Sequence, residues 1–206
     1  KYFFALSFTT IFVVFVDMGF TSVLVREGAR LKEKISEIVS SVLYVKIFLS
    51  LGSYLAMAIV LLVLNHEVET QTLVLISGIT MLFDSLQTTF YGTLRALGNV
   101  KYEALGILSS QLVTLILGIT FLYFKLPLYF LMIAFLIPSV LSSIFAGYIA
   151  HSRYGVRVRP RYTREIVRYI LPITIPFALA TIFGRILSYA DSVMLSKMAG
   201  DVAVGW

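Results

Sequence analysis

One apolar stretch of the chain carries Ser77, Thr80, Asp84, Gln87, Thr88, Tyr91 and Arg95 at steps of three and four residues. On a helix that spacing aligns all seven on one stripe, with Leu75, Ile79, Leu82, Leu86 and Phe90 on the other side. A row of hydroxyls, an amide, a carboxylate and a guanidinium can hold water, bind an ion or meet a charged ligand. The same groups could instead hydrogen-bond helix to helix. Seven aligned polar groups including a carboxylate exceed that need, so the stripe is expected to line a water-filled path.

A second constellation surrounds Arg185. Thr174, Thr181, Arg185, Ser188 and Ser192 share one helical face, and Asp191 lies close to the end of the same segment. Pro172 stands near the start, where proline is tolerated, whereas Pro176 removes a backbone hydrogen bond and is expected to kink the helix. Arg185 lies about 16 residues into the segment, or ~24 Å along the axis. A central arginine costs ~2.5–3.5 kcal/mol on insertion scales, so it calls for a carboxylate such as Asp84 or Asp17, an anionic ligand, or both.

Asp17 shares a face with Thr10 and Thr21 in a segment holding 14 Leu, Ile, Phe or Val residues. Those residues favour insertion by ~4–8 kcal/mol against roughly 3 kcal/mol for the aspartate, so Asp17 is tolerable without being a site. Asp191 reads equally as an interfacial carboxylate in contact with water. Lys46, near one end of its segment, is expected to snorkel to the surface. Gln111, Thr114, Ser139, Ser142 and Ser143 are expected to serve packing.

What must position these residues is a bilayer. A span takes about 20 mostly apolar residues, and six stretches qualify, at roughly 2–25, 39–64, 72–95, 102–124, 128–150 and 169–195. The expected fold is an all-α polytopic membrane bundle. Lysine and arginine concentrate in alternate gaps. Arg26, Arg30, Lys32 and Lys34 fall in 26–38, Lys101 in 96–101, and six arginines in 151–168. The gap 65–71 has neither lysine nor arginine, and 125–127 has only Lys125. By the positive-inside rule the three basic gaps are cytoplasmic and the other two external.

Composition agrees: 59% of the 206 residues are hydrophobic and mean hydropathy is +0.92, far above a soluble domain. The segments are apolar nearly all round, and long rather than alternating, which excludes a soluble core and a β-barrel. The formal charge of +6 is spread over separate loops, so it signals topology and not nucleic-acid binding. There is no cysteine, Walker loop, GxSxG or HExxH, and the only histidines, His66 and His151, sit at loop edges on opposite sides. No metal or cofactor is called for. The gap 151–168, with only Glu165 opposing its arginines, reads as a cytoplasmic linker obeying the charge rule, with contact to anionic lipid or a phosphorylated substrate as the alternative. The chain begins at Lys1 inside a span, without a signal peptide, and both ends are expected outside, as in a fragment of a longer transporter.

Asp17-Met18-Gly19-Phe20 followed by Arg26-Glu27-Gly28-Ala29-Arg30 resembles the end of the second helix and the first inner loop of the polysaccharide (O-antigen-type) flippases. These belong to the multidrug/oligosaccharidyl-lipid/polysaccharide exporter superfamily. Leu171-Pro172, Gly184 through Lys197 and Val204-Gly205-Trp206 resemble the family's seventh helix and the turn after it. The resemblance implies helices two to seven of a two-lobe transporter of 12–14 helices. Residues 1–150 would be five helices of the first lobe, 151–168 a basic inter-lobe linker, and 169–206 the first helix of the second lobe. The implied substrate is a polyprenyl-diphosphate-linked oligosaccharide moved to the outer leaflet of the cell membrane. Arg185 and Arg95 would meet its diphosphate, and Asp17 and Asp84 would hold those cations or a coupling H+ or Na+. Gln87, Thr88, Tyr91, Ser188 and Asp191 complete the expected cavity. A drug or cation exporter of the same superfamily, using Asp17 and Asp84, is the alternative. A membrane-embedded glycosyl- or phosphotransferase would need a carboxylate pair or metal cluster that the sequence lacks.

Overall fold

In the computed structural model the described residues are 2–64 and 67–199, with side chains for all of these except Phe3 and 185–199. The helices are α1 (Tyr2–Asp17), α2 (Phe20–Arg30), α3 (Ile35–Val63), α4 (Val68–Ala96), α5 (Lys101–Tyr123), α6 (Leu128–Tyr154) and α7 (Arg164–Ala199), with a short 3-10 turn at Lys32–Lys34. There is no strand among the described residues. Six helical stretches are long and apolar enough to cross a membrane, the first counted through α1 and α2 together as Phe4–Arg30.

The first span differs from expectation, being two helices instead of one. Met18 (φ 41°) and Gly19 (φ 80°) both adopt left-handed backbone and interrupt the hydrogen-bond ladder. At Gly19 the glycine is required twice over. An added Cβ would be strained at that φ, and it would lie 2.8 Å from Cβ of Phe177 and 2.9 Å from the backbone nitrogen of Ala178 on α7. The break is therefore where α7 makes its close approach, one residue beyond Pro176.

The other helix ends follow local chemistry. α4 stops at a Schellman turn: Gly98 takes the left-handed position, its N–H donates to Arg95 O at 2.9 Å, and Asn99 N–H donates to Leu94 O at 3.0 Å. α5 ends the same way with Lys125 (φ 51°) in place of glycine. Gly155 (φ 64°) caps α6. The basic gap at 26–38 is mostly helical, and of 151–168 only 155–163 lies outside helix.

α4 is the central helix and packs on α1, α2, α3 and α6, while α5 leans mainly on α6 and leaves most of its surface outward. Buried apolar side chains form two separate clusters. One, at the basic end, gathers Phe20, Leu24, Ile38, Val42, Leu94, Ala150 and Val156, with Ile166 and Ile170 of α7. The other, at the opposite end, gathers Ala5, Met57, Leu61, Leu73, Val74 and Met132. On each helix that feeds both clusters, polar residues also fall between them. Lys46, Ser50 and Ser53 lie between Leu43 and Met57 on α3, and Ser77, Asp84, Ser85 and Thr88 between Val74 and Phe90 on α4. The bundle thus carries a polar layer at mid-depth between two clusters of apolar side chains.

Candidate functional site

The break after Asp17 leaves the last carbonyls of α1 without helical partners and turns the Asp17 carboxylate toward α3. Lys46 meets it. Its Nζ lies 2.7 Å from Asp17 Oδ1 and also donates to Thr21 Oγ1 at 3.0 Å and Thr88 Oγ1 at 3.4 Å. The Thr21 hydroxyl donates to the same carboxylate oxygen. A cation at the C-terminal end of α1 also suits the helix dipole. Lys46 is 1% exposed and Asp17 34%, so the carboxylate is the open side of the pair.

This overturns the expected snorkelling of Lys46. The residue lies eleven positions into α3, roughly 16 Å from that helix's start. It turns inward because the break supplies a carboxylate and two hydroxyls there, which offset its desolvation. Asp17 is accordingly a partner to Lys46. The sequence held one signal of this, an ionisable residue in each of two neighbouring spans, but Arg185 drew the pairing argument instead.

Three cavities meet at Asp84. The largest, about 330 Å³, is walled by Asp17, Thr21, Ser22, Lys46, Asp84, Ser85, Thr88 and Arg95 with apolar Val13, Val16 and Met81. A second, about 190 Å³, is lined by Thr80, Asp84, Gln87, Ser110, Gln111, Thr114 and Ser139 with Phe135 and Pro138. A third, also about 190 Å³, takes in Thr9, Thr10, Ser77, Thr80 and Asp84 among apolar residues. Asp84 is exposed and shares the wall of the second cavity with Ser139 of α6. It makes no ion pair among the described residues. Ser50 and Ser85 close the polar layer behind it, hydroxyl to hydroxyl at 3.2 Å.

The α4 stripe is therefore open at mid-depth, covered at Tyr91 and open again at Arg95. Thr80, Asp84, Gln87 and Thr88 reach cavity walls. Tyr91 does not: it is 2% exposed, its hydroxyl lies 2.6 Å from Ser142 Oγ, and its ring fills the space above Gly106. The face is the same, but at that height α5 and α6 close over it. Arg95 reaches the largest cavity and is engaged by Glu103 of α5, its Nε 3.1 Å from Oε2. Gln111, Thr114 and Ser139, expected to pack, line a cavity with Asp84. Ser142 serves packing through Tyr91.

A further tie joins α7 to α2. Glu27, 1% exposed, accepts from the Tyr169 hydroxyl at 2.8 Å, with Arg26 and Arg30 at 3.5 and 3.9 Å. Both arginines thus make an ion pair besides carrying the topology charge. Arg185, Ser188 and Asp191 fall on α7 with side chains outside the described residues, so their expected places in the cavity stand on sequence alone. No group of three or more His, Cys, Asp and Glu that could hold a metal occurs among the described residues.

A multi-span helical bundle with polar cavities at mid-depth between two apolar plugs is the architecture of a membrane transporter. The chain belongs to the polysaccharide biosynthesis protein family, the O-antigen and polysaccharide flippases of the multidrug/oligosaccharidyl-lipid/polysaccharide superfamily, whose sequence profile matches residues 1–206. Members of that family are in general transporters and not enzymes. No curated protein and no solved structure matches the chain.

Proposed function

We propose that the protein moves a polyprenyl-diphosphate-linked oligosaccharide from the cytoplasmic to the outer leaflet of the cell membrane by alternating access. The supporting observation is Lys46, a buried cation on the wall of the largest cavity, held by a carboxylate that is itself open to that cavity. A diphosphate entering there competes with Asp17 for the ammonium, with Thr21 and Thr88 hydroxyls alongside. Arg95 stands on the same wall, and Arg185 would approach from α7 with Ser188 and Asp191 on the same helix. In this reading residues 1–150 belong to the first lobe, 151–168 to the linker and 169–206 to the start of the second lobe. Pro176, one residue before the Phe177 that meets Gly19, would give α7 its point of bending.

The test is flipping of a lipid-linked oligosaccharide by the full-length protein in liposomes, together with complementation of a flippase-deficient strain. Arg185→Lys keeps the charge but loses the two-pronged fork that matches phosphate oxygens, and should transport less well. Arg185→Ala should nearly abolish transport. An Arg185→Ala protein that folds and complements at the wild-type rate removes Arg185 from the anion site.

Asp84 favours a second reading, because a carboxylate open to three cavities suits a cation. It would serve as the site of a coupling H+ or Na+ in the flippase, or of the cargo in a drug or cation exporter. Export of a cationic dye by the full-length protein, lost in Asp84→Asn, would favour the exporter over the flippase.

A further inference from the structure

Residues 155–163 connect α6 to α7 without helix, yet they are firmly tied to the bundle. The Arg157 N–H donates to Ser36 Oγ at 3.3 Å, the Ser40 hydroxyl donates to Arg157 O at 3.2 Å, and the Arg161 N–H donates to Ser40 O at 3.1 Å. His151 Nδ1 lies 3.1 Å from Val156 O, and the Tyr162 ring stacks obliquely on Tyr44 at 5.5 Å. Val156 is fully buried and Val158 packs on the basic-end cluster.

With the valines turned in, Arg157, Arg159 and Arg161 are turned out and exposed. Because residues 157 and 161 both hydrogen-bond Ser40, the three arginines spring from a loop fastened at one point. A plain linker satisfying the charge rule needs basic residues but no such fastening. Exposed Glu165 on the same stretch of chain, and exposed Glu33 and Glu37 on either side of Ser36, make no ion pair with them among the described residues.

The loop joins the span that ends at Tyr154 to the one that begins at Arg164. Tyr148 on α6 before it and Tyr162 within it are 66% and 53% exposed, as aromatic residues are at a membrane interface. None of the three cavities that meet at Asp84 includes these arginines, so they stand apart from the transport path.

We propose that this fastened loop is a binding surface for the phosphate headgroups of anionic lipids in the leaflet it faces. Each guanidinium offers a fork of donors to phosphate oxygens, and holding three of them on one ordered loop lowers the entropy lost on binding. The inference is independent of which substrate the protein moves.

Residues 1–206 hold no cysteine, so a single donor dye can be placed at Thr163→Cys in the full-length protein once any cysteine outside them is replaced by serine. In vesicles of phosphatidylcholine with a minor fraction of phosphatidylglycerol, acceptor-labelled phosphatidylglycerol should be enriched beside the dye over acceptor-labelled phosphatidylcholine. Arg157→Gln/Arg159→Gln/Arg161→Gln leaves Arg153, Arg164 and Arg168 to hold the topology. At roughly a factor of five per basic residue near the surface, the triple variant should lose up to about a hundredfold in preference. Ser36→Ala/Ser40→Ala keeps every charge and frees the loop, and should lose part of it. Equal enrichment in the native protein and the arginine variant overturns the proposal. Unchanged enrichment in the serine variant overturns the role of the fastening, and complete displacement of the lipid by millimolar inorganic phosphate makes it a site for soluble phosphate instead.

Discussion

Lys46 of α3 and Asp17 at the end of α1 form an ion pair 2.7 Å long in the middle of the lobe, with the lysine sealed from solvent and the aspartate open to a cavity. Breaking a buried pair from one side leaves an uncompensated charge and costs about 3–5 kcal/mol, whereas removing both partners costs far less. Lys46→Met should fall at the lower end of that range, since Asp17 keeps a third of its surface open. Lys46→Met/Asp17→Asn should recover most of the loss. Melting of the purified single and double variants measures it; additive losses would mean that the two residues do not act as a pair.

Gly19→Ala should destabilise the protein by roughly 1–3 kcal/mol, because alanine is strained at φ 80° and its Cβ would meet the backbone of Phe177 and Ala178. Gly52→Ala, with nothing within 4 Å of the added methyl, should be neutral or stabilising by up to about 1 kcal/mol. Parallel thermal melts of the two variants separate the effect of this break from that of adding a methyl group anywhere in the bundle.

Tyr91→Phe should cost about 1–3 kcal/mol by stranding the buried Ser142 hydroxyl, with little change in transport per folded molecule. A loss of transport at unchanged melting temperature would restore Tyr91 to the path.

Single cysteines at Thr80, Asp84 and Gln87 should react with small polar reagents in the full-length protein, and cysteines at Thr89 and Tyr91 should not. Reaction at Thr89 or Tyr91 as fast as at Asp84 would mean that water is not confined to the mid-depth cavities.

The orientation rests on the alternation of lysine and arginine between spans. In sealed cells an impermeant thiol reagent should label Val68→Cys and spare Thr163→Cys. The reverse pattern inverts the topology.

Much of the fold was legible without coordinates. Twenty apolar residues in a row have few alternatives in a bilayer, since only a helix satisfies its own backbone there, so the six spans and the all-α class followed from local composition. The resemblance carried by Asp17-Met18-Gly19-Phe20 and the Leu171–Lys197 region pointed to the family that the whole-chain match shows. The α4 stripe was equally local, since helical periodicity alone brings Thr80, Asp84, Gln87 and Thr88 to one face.

What periodicity could not say is which neighbour covers that face at each height. Tyr91 and Asp84 share a stripe, yet α5 and α6 bury the first and leave the second open. The pairing of Lys46 with Asp17 depended on a break within an otherwise continuous apolar run, made where α7 approaches Gly19 from more than 150 residues away in sequence. The fastening of Arg157 and Arg161 to Ser40 is likewise a contact across well over 100 residues. Hydropathy and helical period are properties of neighbouring residues along the chain. The partner of a buried charge, and the exposure of a polar face, are set by which helices pack together, and only the tertiary structure decides that.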